Sequence, residues 1–152
     1  MSVTRREVLS SFSAAAALGV LLPKPLSADA GQVQGEALPS AVYPFDKLDV
    51  HGGQASQMRP ILKGKLVTGE AIEVHETTLP PHGAPHPPHH HEHSEMWFVR
   101  EGTLEIFIAG ETRRIGAGSA AFVRSNEEHG VKNTTDQPVT YFVVAVGPGA
   151  DK

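Results

Sequence analysis

Three histidines and one glutamate carry the chemistry that this sequence offers: His89, His91 and Glu95 fall within seven residues, and His129 follows on a later extended segment. Imidazole nitrogen and carboxylate oxygen together bind divalent ions such as Fe, Mn, Co, Ni or Zn, and four protein ligands leave octahedral positions free for water or substrate. An open, reactive metal site is built this way. On an extended chain residues i and i+2 share a face, so His89 and His91 converge while His90 points away.

Residues 80–93 read PPHGAPHPPHHHEH, and such a tract has a second reading as a solvated loop or a loose metal-sequestering tail. Against that reading stands the run Glu95-Met96-Trp97-Phe98-Val99-Arg100, rich in strand formers and closed by Gly102. Disordered tails do not lead straight into a core strand. His93, two positions from His91, is an alternative ligand or general base, or else a polar residue at the mouth of the site. His86 and His90 are read as solvent-facing, His82 marks the loop, and His51 and His75 are too remote in sequence to assign.

Strands must position these groups. Over residues 61–146 strand-like runs alternate with turn signals at the intervals of an all-β barrel or sandwich. The runs are 70–78, 95–100, 103–108, 111–115, 119–124 and 138–146, with Ala109-Gly110 as a hairpin turn and Gly116-Ala117-Gly118 as another. The prolines at 80, 81, 85, 87 and 88 force an extended path suited to an edge or a connecting loop. Alternation puts Trp97 and Val99 on the face of Glu95, and Val131 and Asn133 on the face of His129, so these four are the expected pocket wall. Either Tyr141 or Phe142 points inward from the last run; alternation alone leaves both open. Glu127 and Glu128 beside His129 are read as solvated.

With 152 residues, 39% of them apolar and 20% charged, the chain is sized for one domain with a modest core. A net charge of −4 with scattered lysines and arginines argues against a nucleic-acid partner. The absence of cysteine excludes disulfides, thiolate metal sites and thiol nucleophiles. No glycine-rich phosphate loop and no GxSxG nucleophile is present.

Residues 1–30 are expected to be an export signal. Arg5 and Arg6 precede the uncharged stretch 10–22, and Ala28-Asp29-Ala30 makes a small-x-small cleavage site before Gly31. The arginine pair, with Val8 and Leu9 behind it and Lys24 after the apolar stretch, resembles a twin-arginine signal, the type that exports folded proteins. That apolar stretch is shorter than the about 20 residues needed to span a bilayer, so no permanent membrane anchor is expected. The implied location is the periplasm or the exterior of a bacterial cell, and the implied partner is the twin-arginine export machinery. Residues 31–60 are read as an extended arm anchored by Tyr43, Pro44, Phe45 and Leu48, or as a floppy linker; residues 61–147 form the barrel and 148–152 a tail.

The residues resemble the cupin superfamily. Its first motif is a glycine, five residues, His-x-His, three or four residues, a glutamate, six residues and a glycine, and Gly83, His89, His91, Glu95 and Gly102 meet it in full. The second motif is met in part by Gly118, His129 and Asn133, with Arg124 in place of the usual proline and Asn126 in place of the usual glycine. Asparagine tolerates positive φ, so Asn126 holds the turn. Arg124 is read as solvent-facing, against the alternative of a guanidinium aimed at the pocket.

The resemblance implies a double-stranded β-helix of the jelly-roll type, with a divalent metal held by His89, His91, Glu95 and His129. Folding before export lets the protein take its ion in the cytoplasm, which favours Mn or Fe over the copper and zinc that compete more strongly by intrinsic affinity, with Ni, Co, Zn and Cu as the other candidate ions. An ion there would act as a Lewis acid and template for a small oxygen-bearing substrate, as in a dioxygenase or other oxidoreductase, a decarboxylase or an isomerase. Glu95 would double as a proton acceptor when it loosens from the ion. The alternative is a non-catalytic small-molecule binder or metal buffer of the cell envelope, because this barrel hosts many unrelated activities. A homodimer is expected, with the arm available for exchange between subunits.

Overall fold

The computed structural model describes residues 36–152. The expected export signal lies outside the described residues. Nine strands follow a single turn of 3₁₀ helix at Phe45–Lys47: β1 His51–Gly52, β2 Gln57–Lys65, β3 Ala71–Leu79, β4 Ser94–Glu101, β5 Thr103–Ile108, β6 Glu111–Gly116, β7 Ala120–Val123, β8 His129–Lys132 and β9 Val139–Val146. They form a six-stranded sheet, β1-β2-β3-β9-β4-β7, and a three-stranded sheet, β6-β5-β8. All pairs are antiparallel. The fold is all-β, as the spacing of strand runs and turns implies. Among the described residues no helix is long and apolar enough to cross a membrane.

Period-two alternation is sharpest in β9, where Val139, Tyr141, Val143 and Ala145 are buried and their neighbours only partly so. These four meet Leu79, Trp97, Val99, Leu104, Ile106, Val123 and Val131 between the two sheets, apart from Ala145, which packs with Ala71 and Ala150. Each large apolar side chain so buried contributes about 1.5–3 kcal/mol relative to exposure. Tyr141 is the inward residue of the pair at 141–142, because its register opposite Thr77 and Val99 shares their inner face.

Two local features follow from residue type. Ala109 and Gly110 both have positive φ, 49° and 87°, as a tight two-residue hairpin requires. Asn126 has φ 60°, so it takes the left-handed conformation that a glycine would otherwise supply.

β2 begins at Gln57, so the expected start of the barrel at Ile61 falls inside a strand. Gln57-Met58-Arg59-Pro60 shows no clear alternation; pairing with β3 as far as Thr78 is what extends it. On the outer face Glu76 is almost fully buried, accepting from Arg100 Nη1 at 2.7 Å with Arg59 Nε 3.8 Å away. The Phe45 ring lies 4.6 Å from the Arg59 guanidinium and 5.2 Å from that of Arg100, within cation–π range. Arg59 also donates to the Leu48 carbonyl at 3.1 Å, and Leu38 N–H donates to the Lys65 carbonyl at 2.8 Å. The arm is therefore pinned along β2 by Phe45, whose ring stays half exposed, and by Leu48.

The small sheet carries its own ion network. Glu105, nearly buried, receives Lys132 Nζ at 2.9 Å and Arg114 Nε at 3.1 Å. The Lys132 hydrogen bond, helped by Arg114, holds its carboxyl below the usual carboxylate value and outweighs the opposing effect of burial. A lowered carboxyl pKa means stability that is present above the unfolded-state value and lost as pH falls through the folded one. Glu105→Gln is therefore expected to lower unfolding free energy at pH 7 by about 1 kcal/mol or less, since both basic partners are more than half exposed. Urea melts at pH 7 and pH 3 check this: the gap between variant and parent must close at the lower pH.

Candidate metal centre

His89 and His91 precede β4 and do not sit on a strand. They converge because the proline-rich loop is tied to β8: His89 and His129 exchange backbone hydrogen bonds of 2.9 and 2.8 Å as an isolated bridge. Gly130 makes room for this, since a Cβ there would stand 3.2 Å from Pro88 Cα. Asn126 N–H donates to the His91 carbonyl at 2.8 Å, so the turn held by positive φ also anchors the loop. Ring centroids of His129 lie 4.6 Å from both His89 and His91.

The four residues do not form one tight group. One cluster is His89, His91 and His129, a second is His91, His93 and Glu95, and within each cluster the candidate ligand atoms lie within 4.8 Å of one another. Glu95 bridges them, with Oε1 3.1 Å from His91 Nε2 and 3.4 Å from His93 Nε2, and Oε2 3.7 Å from His129 Nε2. His93 stacks on His91 at 3.5 Å with 14° between planes. It belongs to the inner shell of the site rather than to its solvent edge. His86 is exposed, yet its ring meets His89 edge-on at 4.3 Å; His90 is exposed.

Backbone carbonyls set the tautomers. A carbonyl can only accept, so His91 Nδ1–H donates to the His93 carbonyl at 2.9 Å and His129 Nδ1–H donates to that of Glu127 at 2.8 Å. Each ring's Nε2 is left with its lone pair toward the cluster. An Nε2 lone pair facing Glu95 Oε1 at 3.1 Å requires a proton or a metal ion between the two atoms. Among the described residues His129 Nε2 and His89 Nδ1 are buried with no hydrogen-bond partner, a costly state that a bound cation relieves. Burial, then the neighbouring His86, His129 and His91, pushes His89 below the usual histidine value against the pull of Glu95. His93 is lowered likewise, by burial and His91. Neutral imidazole is the form a metal needs. The donor set therefore fits a divalent ion.

Beside the histidines lies a cavity of about 220 Å³ whose wall includes Met58, His75, Thr77, Glu95, Trp97, His129, Val131, Tyr141 and Val143. Trp97 and Val131 thus line it. Val99 and Asn133, the other two residues expected on the wall, do not: Val99 packs in the core. Asn133 lies just past the end of β8 and spends its whole amide on the neighbouring turns, donating to the Pro80 and Gln137 carbonyls at 2.9 and 2.7 Å and accepting from Thr135 N–H and hydroxyl. Arg124 faces solvent and pairs with Glu127. A larger groove of about 640 Å³ runs outside the proline loop past Phe107, but its charged groups Glu105 and Lys132 are spent on each other.

His75 and Tyr141 are the cavity residues that sequence reasoning left unassigned. Both follow from alternation once the order β3-β9-β4 is known, and that order is non-local. Burial pushes the Tyr141 hydroxyl well up, so it remains a donor.

Residues 75–145 match the family described as a cupin domain. No curated protein matches the sequence. Among solved structures, an RmlC-like cupin from Shewanella frigidimarina is 16% identical with a TM-score of 0.60, covering 74% of this chain and 96% of its own. A predicted oxalate decarboxylase from Thermotoga maritima is 17% identical with a TM-score of 0.60, covering 70% and 99%. The polyketide cyclase RemF from Streptomyces resistomycificus is 22% identical with a TM-score of 0.56, covering 72% and 80%. At these identities the likeness is one of fold. Residues 75–145 are thus similar to a cupin domain, within an all-β jelly-roll barrel whose histidine-rich cluster is suited to a divalent metal.

Proposed function

We propose that this protein is an exported, metal-dependent cupin that acts on a small oxygen-bearing substrate. The observation that carries the reading is the pair of orphaned buried nitrogens, His89 Nδ1 and His129 Nε2, beside a carboxylate that reaches His91, His93 and His129. His89, His91, Glu95 and His129 would hold the ion, with His93 as the competing ligand that shares His91 and Glu95. A bound ion, Mn or Fe by the folding-before-export argument, would supply Lewis-acid polarisation of a carbonyl, carboxylate or enediol oxygen.

The rest is done by side chains. Trp97, Val131 and Val143 exclude water from the cavity, and the Tyr141 hydroxyl offers a hydrogen bond to a substrate oxygen. Glu95 is the candidate proton acceptor. A volume of about 220 Å³ lies below the range of about 300–1,000 Å³ common for drug-sized ligands, which points to a small substrate. Oxidative cleavage, decarboxylation and isomerisation all suit such a site. Export by the twin-arginine machinery to the periplasm or exterior is part of this reading, supported by the residue pattern at 1–30. So is a homodimer, supported by Met96, Phe98 and Phe122, exposed on the outer face of the large sheet.

Metal analysis tests the proposal. Elemental analysis of the full chain purified from its native compartment is expected to give about one ion per chain that resists mild chelation. Several weakly held ions lost on dialysis against a chelator would support the metal-buffer alternative, which the surplus of neighbouring histidines favours.

A further inference from the structure

His75 and Glu73 stand on β3, outside the histidine cluster, and both face the barrel interior. Val143 of β9 pairs with His75 on one side and with Trp97 on the other; Ala145 likewise pairs with Glu73 and with Glu95. The His75–Glu73 pair therefore lies on the same inner sheet face as Trp97 and Glu95, two strand spacings or about 9.6 Å of backbone away, with Val143 and Ala145 between. His75 lines the same cavity as Glu95, His129, Thr77 and Tyr141.

The His75 ring is oriented. Its Nδ1 lies 2.8 and 2.9 Å from the two carboxylate oxygens of Glu73, and a carboxylate can only accept, so Nδ1 carries the proton. Nε2 keeps its lone pair and has no hydrogen bond among the described residues. The side chains are 17% and 19% exposed, too open for a core ion pair and too enclosed for a surface one. A carboxylate that fixes a histidine's tautomer and stabilises its imidazolium is the arrangement by which an imidazole becomes a general base.

We propose that His75, positioned by Glu73, rather than Glu95, is the proton-transferring catalytic residue of this cavity, with Glu95 kept for the ion, and that its substrate is a small carbonyl compound with an acidic C–H beside the carbonyl, such as an α-hydroxy ketone. This rests on the metal-dependent reading above and selects, among the reactions it allows, proton transfer without an external oxidant. His75 Nε2 takes the proton from the α-carbon; the C–H electron pair forms the carbon–carbon double bond of an enediolate whose charge rests on the former carbonyl oxygen. The same proton, or one exchanged with solvent, returns from the imidazolium to carbon. Glu73 holds Nδ1–H throughout, and Tyr141 donates to oxygen. The cavity of about 220 Å³ suits a substrate of this size.

The test uses the full chain loaded with Zn²⁺ and dihydroxyacetone as probe, with α-hydrogen exchange followed by proton NMR in D₂O. His75→Asn is expected to slow exchange by about 100-fold or more while leaving one ion per chain. In the parent, nitrogen-15 spectra are expected to show His75 as the Nδ1–H tautomer, and Glu73→Gln is expected to shift that population and to alter the pH profile of exchange, to which Glu95, His86, His129 and Tyr141 around the cavity also contribute. Exchange by His75→Asn at the parental rate, or none by the metal-loaded parent, overturns the assignment. Failure of the parent to hold an ion would instead strike at the metal reading, so the two failures are distinguishable.

Discussion

Replacing His129 by alanine is expected to lower metal affinity by more than the about 10–100-fold typical of losing an outer-shell partner. His129 is 2% exposed, its ring is aimed by the Glu127 carbonyl, and its free Nε2 stands 3.7 Å from Glu95 Oε2. Truncation removes a ligand and does not touch the backbone bridge to His89, which both residues make through main-chain atoms. The metal-free variant should melt near the parent, because a buried nitrogen without a partner leaves together with the packing of the ring. The difference appears on loading: at a free ion concentration 100 times the dissociation constant, binding adds about 2.7 kcal/mol to the parent and little to the variant. Isothermal titration with Zn²⁺, followed by melts with and without the ion, reads both effects. His93→Ala sorts the two clusters. If it costs far more affinity than His129→Ala, the ion belongs to the His91–His93–Glu95 group; retention of parental affinity by His129→Ala would remove this histidine from the site altogether.

Gly102→Ala is expected to destabilise the fold by about 2–5 kcal/mol. Gly102 turns β4 into β5 with φ 82°, a conformation that costs an L-residue about 1–2 kcal/mol. A Cβ there would also stand 2.6 Å from the Pro138 carbonyl oxygen and 3.0 Å from Val139 Cα, so backbone must move, and overpacking of this kind costs about 1–3 kcal/mol more. Gly118 provides the control: its φ is also 82°, but nothing lies within 4 Å of the added atom, so Gly118→Ala should cost only the conformational part. Chemical denaturation with both variants, compared at constant slope, measures the gap. Equal losses would mean that close approach at Pro138 does not matter.

Much of the barrel was legible in the chain because its signals are local. The expected run 103–108 coincides with β5, that at 95–100 falls one residue short of β4 at each end, and that at 138–146 starts one residue before β9. Alternation, turn glycines and β-branched residues act over a few positions and need no knowledge of neighbours. β2 was less legible, since Gln57-Met58-Arg59-Pro60 becomes a strand through β3 and through Glu76, which Arg59 approaches from β2 and Arg100 from β4. The wall of the cavity was mixed for the same reason. Strand parity put Val99 and Asn133 on the correct faces but could not say how far along each face the cavity extends, and Asn133 lies where the turns, not the pocket, use its amide.

By itself the sequence determined the all-β pattern, the residue types of a divalent-ion site and the glycines that its corners demand, because donor chemistry and backbone sterics belong to individual residues. Only the tertiary structure decided that His89 and His91 converge through a loop bridged to β8, that His91 is shared between two clusters of which the second adds His93 and Glu95, and that His75 shares the sheet face of Glu95 on the far side of β9. Those are distances between segments far apart in the chain, and they exist only once strands 3, 9 and 4 lie side by side.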